Sequence, residues 1–142
     1  MPMADYTPRS AAQRLADFMG ADVAARTQRF AIVNLWRSVA GTVLRAPLCL
    51  CDGASVDAQD LVVTERRARN RIGELYRLAF NPNQRWYFFP ALAMDEALLI
   101  KTFDSAPTSG VAFAPHASFR NPTAPDDAPP RQSIETRALV IY

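Results

Sequence analysis

Histidine is almost missing from this chain of 142 residues. The one imidazole belongs to His116, which excludes, within this chain, any metal site built on two histidines. Lysine is as scarce: of the 16 basic residues all but Lys101 are arginine. Set against 14 acidic residues they leave a formal net charge of only +2, and a nucleic-acid binder normally carries a stronger basic footprint. The two cysteines, Cys49 and Cys51, are separated by one residue. That gap matches neither a zinc site nor a CxxC redox pair, and on a strand it puts two small residues on one face. No apolar run approaches the roughly 20 residues of a membrane helix and no signal peptide is evident at the start, so a soluble cytoplasmic protein is the expectation.

What is present is enough apolar residue for a core. At 49% hydrophobic content the chain has the composition of a folded globule, and a domain of this size buries roughly 70% of its unfolded surface. The length suits one domain over residues 1–142. Ser10 to Met19 carries an apolar helical stripe at Leu15, Phe18 and Met19 with Gly20 as its stop, and residues 21–27 extend it by a turn or two. The character then changes to short aromatic and β-branched runs: 29–36, 47–52, 72–80, 85–89, 97–103 and 133–142. Asn81-Pro-Asn-Gln84 has turn chemistry, so 72–80 and 85–89 are expected to form a hairpin. Residues 121–130, with four prolines, read as a loop. One or two helices followed by about six strands imply a mainly β protein, a sandwich or jelly roll with a short N-terminal helical flank.

His116 stands beside a proline in Phe113-Ala-Pro-His116, a context that suits a loop. Downstream, Arg131, Ser133, Glu135 and Arg137 share one strand face because side chains alternate with period two. A guanidinium fork and a hydroxyl suit a carboxylate ligand, although Glu135 and the nearby Asp126 and Asp127 compete for the arginines as ordinary ion pairs. Arg66, Arg67, Arg69 and Arg71 form a basic run that reads as a solvated loop or helix face, with phosphate contact the rival. Tyr76 and Trp86 to Phe89 form an aromatic cluster expected in the core.

Taken in order, Phe30-Ala-Ile-Val-Asn-Leu-Trp-Arg37, Gly73-Glu-Leu-Tyr76, Asn81-Pro-Asn-Gln-Arg-Trp-Tyr87, Asp95-Glu-Ala-Leu-Leu-Ile-Lys101, Phe113-Ala-Pro-His116 and Arg131-Gln-Ser-Ile-Glu-Thr-Arg137 resemble the CmcJ/NvfI-like family. That family includes fungal AsaB-type hydroxylase/desaturases and gibberellin-desaturase-like proteins. The resemblance spans Asp5 to Tyr142. It implies a double-stranded β-helix, an Fe(II)- and 2-oxoglutarate-dependent oxidoreductase of secondary metabolism, and a small hydrophobic or natural-product substrate; a homo-oligomer is one expectation. Such enzymes hold iron with a His-x-Asp pair and a distal His. By resemblance the iron ligands map to Asp5 and His116, and the co-substrate residues to Arg131 and Ser133, with Arg137 the rival arginine.

The departure lies at Met3, where the family pattern has its first histidine. A thioether is a soft, weak ligand for ferrous iron. The chain also begins close to Asp5, and an incomplete barrel of a shortened product is one expectation. An impaired oxygenase and a non-catalytic barrel binding a small molecule or partner chain are the two function classes left open.

Overall fold

The computed structural model describes residues 1–68 and 71–142; Arg69, in the middle of the basic run, lies outside the described residues. Helix α1 (Pro8–Met19) starts earlier than the apolar stripe suggests. Thr7 is its cap and Ser10 is the third helical residue, each side chain bonding the other's backbone N–H, which satisfies two donors that the first turn leaves free. Gly20, at φ 84°, ends α1 and leads into α2 (Ala21–Arg26); only glycine takes that left-handed turn without a steric cost.

The remaining elements are strands β1 (Met3–Ala4), β2 (Phe30–Ser38), β3 (Leu48–Cys51), β4 (Leu61–Ala68), β5 (Arg71–Leu78), β6 (Trp86–Phe88), β7 (Leu98–Asp104), β8 (His116–Ser118) and β9 (Ser133–Ile141). They form a six-stranded sheet in the order β4-β5-β1-β8-β3-β6 and a three-stranded sheet in the order β7-β2-β9. Every pairing is antiparallel. Two such sheets with α1 and α2 at the N-terminal side make a jelly-roll-type fold, as the strand spacing implies.

Several local expectations are corrected. The 72–80 and 85–89 segments do not pair: β5 lies between β4 and β1, whereas β6 pairs with β3. The intervening turn is pulled away by long-range bonds. Asn81 and Gln84 donate to the Asp60 carboxylate, and Arg85 reaches Asp52 at 2.6 Å. In the basic segment that looked like a solvated loop or helix, Arg71 begins β5, and Arg66 and Arg67 stand on the antiparallel partner β4. Its charges stand on an edge strand, where they discourage further pairing. Tyr87, Phe88 and Phe89 are exposed and Trp86 is half-buried, so these four are not core but lie on the edge strand β6 and the residue after it, while Tyr76 is half-buried on β5 beside Phe113. The very short strands β1 and β8 are invisible to periodicity, and His116 lies in a strand, not a loop.

Between the sheets β2 organises the core. Phe30, Ile32, Asn34 and Trp36 face inward by alternation. Phe30 and Ile32 belong to one buried cluster with Tyr6, Ala11, Leu15 and Phe103. Trp36 belongs to a second with Val43, Leu48, Leu92, Leu98 and Ile100. Asn34, wholly buried, sits in the gap between them, and that polar gap faces β1.

Candidate functional site

β1 runs between β5 and β8, with Met3 directly opposite His116. Cross-strand partners share a face, so Met3 and His116 lie together; Asp5, the residue after β1, borders the same cavity as Met3 and approaches the His116 ring. The distance from His116 Nε2 to Asp5 Oδ1 is 3.8 Å, too long for a hydrogen bond and open enough for a cation between them. His116 Nδ1 lies 3.3 Å from the Ala114 carbonyl. With the proton on Nδ1, that bond leaves the Nε2 lone pair facing Asp5, the tautomer a metal ligand requires.

The other Asp5 oxygen is held from the opposite sheet. Asn34 Nδ2 and Arg137 Nη2 each donate to Oδ2 at 2.9 Å. Arg137 also donates to Asn34 Oδ1, to the Tyr6 hydroxyl and to Glu135. Burial works against its charge, but Asp5, Tyr6 and Glu135 together raise its pKa. The network fixes one carboxylate oxygen and leaves Oδ1 free toward His116. Asn34 escaped the sequence reading, yet it carries a signal: it is the single polar residue on the inward face of Phe30-Ala-Ile-Val-Asn-Leu-Trp36.

The two candidate arginines differ in kind. Arg137 is engaged by two carboxylates. Arg131 donates to the Ala46 carbonyl at 2.7 Å and lies 5.3 Å from the centre of the Trp36 ring. It has no carboxylate partner among the described residues, and burial alone pulls its pKa down. It borders a cleft of about 470 Å³ with Ser118 and Phe119. Ser118 is two residues along β8 from His116, roughly 7 Å at strand rise. Ser133, at the start of β9, is half-buried opposite Ser38. On the other side of Asp5, a cavity of about 250 Å³ is bordered by Met3, Asp5, Arg14 and Arg137. Arg14 and Arg137 also border an apolar groove of about 560 Å³ formed by Phe18, Met19, Ile32, Leu139 and Ile141.

The carboxylate of Asp5 and the imidazole of His116 suit ferrous iron, but the third position beside them is the Met3 thioether. Among the described residues no three His, Cys, Asp or Glu side chains gather around one point. What the geometry does show is one imidazole nitrogen and one carboxylate oxygen facing each other, with a thioether across from the imidazole.

Comparison with known proteins assigns the chain to a family. A family model described as an oxidoreductase/YMDC permease-like domain matches residues 3–141. The chain is 33% identical over 140 residues to the Fe(II)/2-oxoglutarate-dependent dioxygenase nvfI of Aspergillus novofumigatus, covering 96% of this chain and 50% of that one. It is 34% identical over 129 residues to the hydroxylase/desaturase asaB of Aspergillus flavus, covering 80% and 56%. A solved structure of the iron and alpha-ketoglutarate-dependent endoperoxidase NvfI superposes with a TM-score of 0.89 at 30% identity, over 99% of this chain and 53% of the other. The chain thus spans about half the length of the relatives it matches.

Proposed function

Because the chain belongs to the CmcJ/NvfI-like family of Fe(II)/2-oxoglutarate-dependent oxygenases, we propose that it carries the metal and co-substrate face of a hydroxylase/desaturase-type oxidoreductase of secondary metabolism. The observation that carries this is the free Asp5 Oδ1 standing 3.8 Å from His116 Nε2, in a network that orients both side chains. Asp5 and His116 are the iron ligands, and Met3 in place of a third makes the iron site weak. Bound together, iron, 2-oxoglutarate and O₂ supply the oxidation of an unactivated C–H bond.

The chain's own residues bind and orient. Arg131 is the co-substrate arginine, because of the two candidates it is the one with no carboxylate partner among the described residues; Arg131 precedes β9, and Ser133, its first residue, adds a hydroxyl two positions on. Arg137 acts as a positioning residue that holds Asp5. The apolar groove bordered by Arg14 and Arg137 takes a small hydrophobic or natural-product substrate, with Phe18, Met19, Ile32, Leu139 and Ile141 as its apolar contacts.

The test is an anaerobic titration with Fe(II) and 2-oxoglutarate, following the weak visible charge-transfer band of the chelate. The native chain is expected to develop the band at high iron concentration, and His116→Ala to abolish it. A band of equal strength in His116→Ala, or none in the native chain at any iron concentration, overturns the proposal.

A further inference from the structure

The face that is poor for ferrous iron is chemically suited to a different ion. Met3 supplies a thioether, His116 an imidazole whose Nδ1 is bonded to Ala114, and Asp5 a free carboxylate oxygen. Thioether and imidazole together select copper, and thioether in particular selects Cu(I). The register places Met3 opposite His116, Met3 and Asp5 border the same cavity of about 250 Å³, and Asp5 Oδ1 lies 3.8 Å from His116 Nε2, so the three donors stand on neighbouring positions of one sheet face. Cys49 and Cys51, which also attract Cu(I), stand apart from this set. Leu50 is the partner of His116 across β3 and β8, so the flanking cysteines point to the opposite face of that sheet.

We infer that Met3, His116 and Asp5 form a Cu(I) site, with sulfur and imidazole as its main donors and the carboxylate beside them. The inference rests on Asp5 and His116 facing a metal, as in the proposed function, and adds Met3 as a ligand. Arg137 and Asn34 hold Asp5 Oδ2 and leave Oδ1 on the side of His116.

The experiment is an anaerobic competition for Cu(I) against the chromophoric chelator bicinchoninate, using the whole chain with Cys49 and Cys51 replaced by serine. Met3→Leu and Met3→His are compared in the same background. The parent is expected to withdraw one equivalent of Cu(I), Met3→Leu to bind at least about tenfold more weakly, and Met3→His to shift preference from Cu(I) toward Fe(II). Equal Cu(I) affinity in parent and Met3→Leu overturns the inference. X-ray absorption on the native chain, cysteines intact, is the second measurement: a mixed sulfur and nitrogen shell supports the site, and a shell of sulfur alone assigns the ion to the cysteines and rejects it. The Fe(II)/2-oxoglutarate band in Met3→His reports separately on the oxygenase reading. A band there without copper binding in the parent removes only the copper inference, and Met3-dependent copper binding without a band removes only the iron one.

Discussion

At the scale of single residues, the decisive contrast is between two arginines six positions apart. Arg137 has its charge compensated by Asp5 and Glu135, whereas Arg131 lies half-buried over Trp36 and gives its hydrogen bond to a backbone carbonyl. Arg131→Ala is expected to weaken 2-oxoglutarate binding by about 10- to 100-fold, the range of one charge-assisted hydrogen bond, while leaving the melting temperature nearly unchanged. Arg137→Ala is expected to lower the melting temperature and to weaken iron binding as well, because it strips the half-buried Asp5 carboxylate of a charged donor; calorimetry for melting separates the two, since only Arg137→Ala lowers it. Sequence alternation put Arg131 and Arg137 on one face but said nothing of which was already occupied, since ion pairing is a property of distances. Asp5 and His116 were legible only through the ordered motifs of a family: one precedes a helix and the other lies in a three-residue strand, and neither leaves a periodic trace. Asn34 was legible in principle, as a polar break in an inward apolar face.

At the scale of elements, long strands and the helix were readable because each repeats its pattern often enough to be recognised. β2 and β9 pair over nine consecutive positions, and their apolar content announces them. The hairpin assigned to 72–80 and 85–89 failed because turn chemistry gives the bend and not the partner: Asp60 and Asp52 claim the turn residues and carry the chain across to β3. β4 was missed because its arginines masked an extended edge strand. A second device at this scale is the clamp at the end of the three-stranded sheet. Arg29 Nε and Nη2 bond the two oxygens of Asp104 at 3.2 and 2.9 Å, and Arg29 also lies 4.3 Å from the centre of the Tyr142 ring, so β2, β7 and the end of β9 are tied together. The hydrogen bond from Arg29 holds the Asp104 carboxyl below its ordinary value, against the opposing effect of burial. A depressed folded pKa gives stabilisation that is complete above the unfolded aspartate value of about 3.9 and is lost as pH falls through the lower folded value. The melting temperature of the native chain is therefore expected to fall more steeply than that of Asp104→Asn between about pH 4 and pH 2. Parallel slopes in calorimetric scans across that range would contradict the clamp.

At the scale of the whole molecule, mainly β architecture with a helical flank followed from the spacing of short strands, whereas the order of strands in the two sheets did not, because it depends on pairings between distant segments. The fold brings β1 of one sheet against β2 and β9 of the other, and Asp5 is the residue on which both sheets converge. The chain covers 53% of the NvfI structure at a TM-score of 0.89; within it Asp5 and His116 face each other, and Arg131 borders a separate cleft. No helix among the described residues is long and apolar enough to cross a membrane. The central claim is that this face is an oxygenase metal centre lacking one imidazole, at Met3. Its most direct test is the anaerobic Fe(II) titration in the presence of 2-oxoglutarate, native chain against Met3→His. The expected result is the same charge-transfer band in both, with iron affinity at least about tenfold higher in Met3→His, the equivalent of 1.4 kcal/mol or more. Equal affinities, or no band in Met3→His while circular dichroism reports an intact fold, would contradict it.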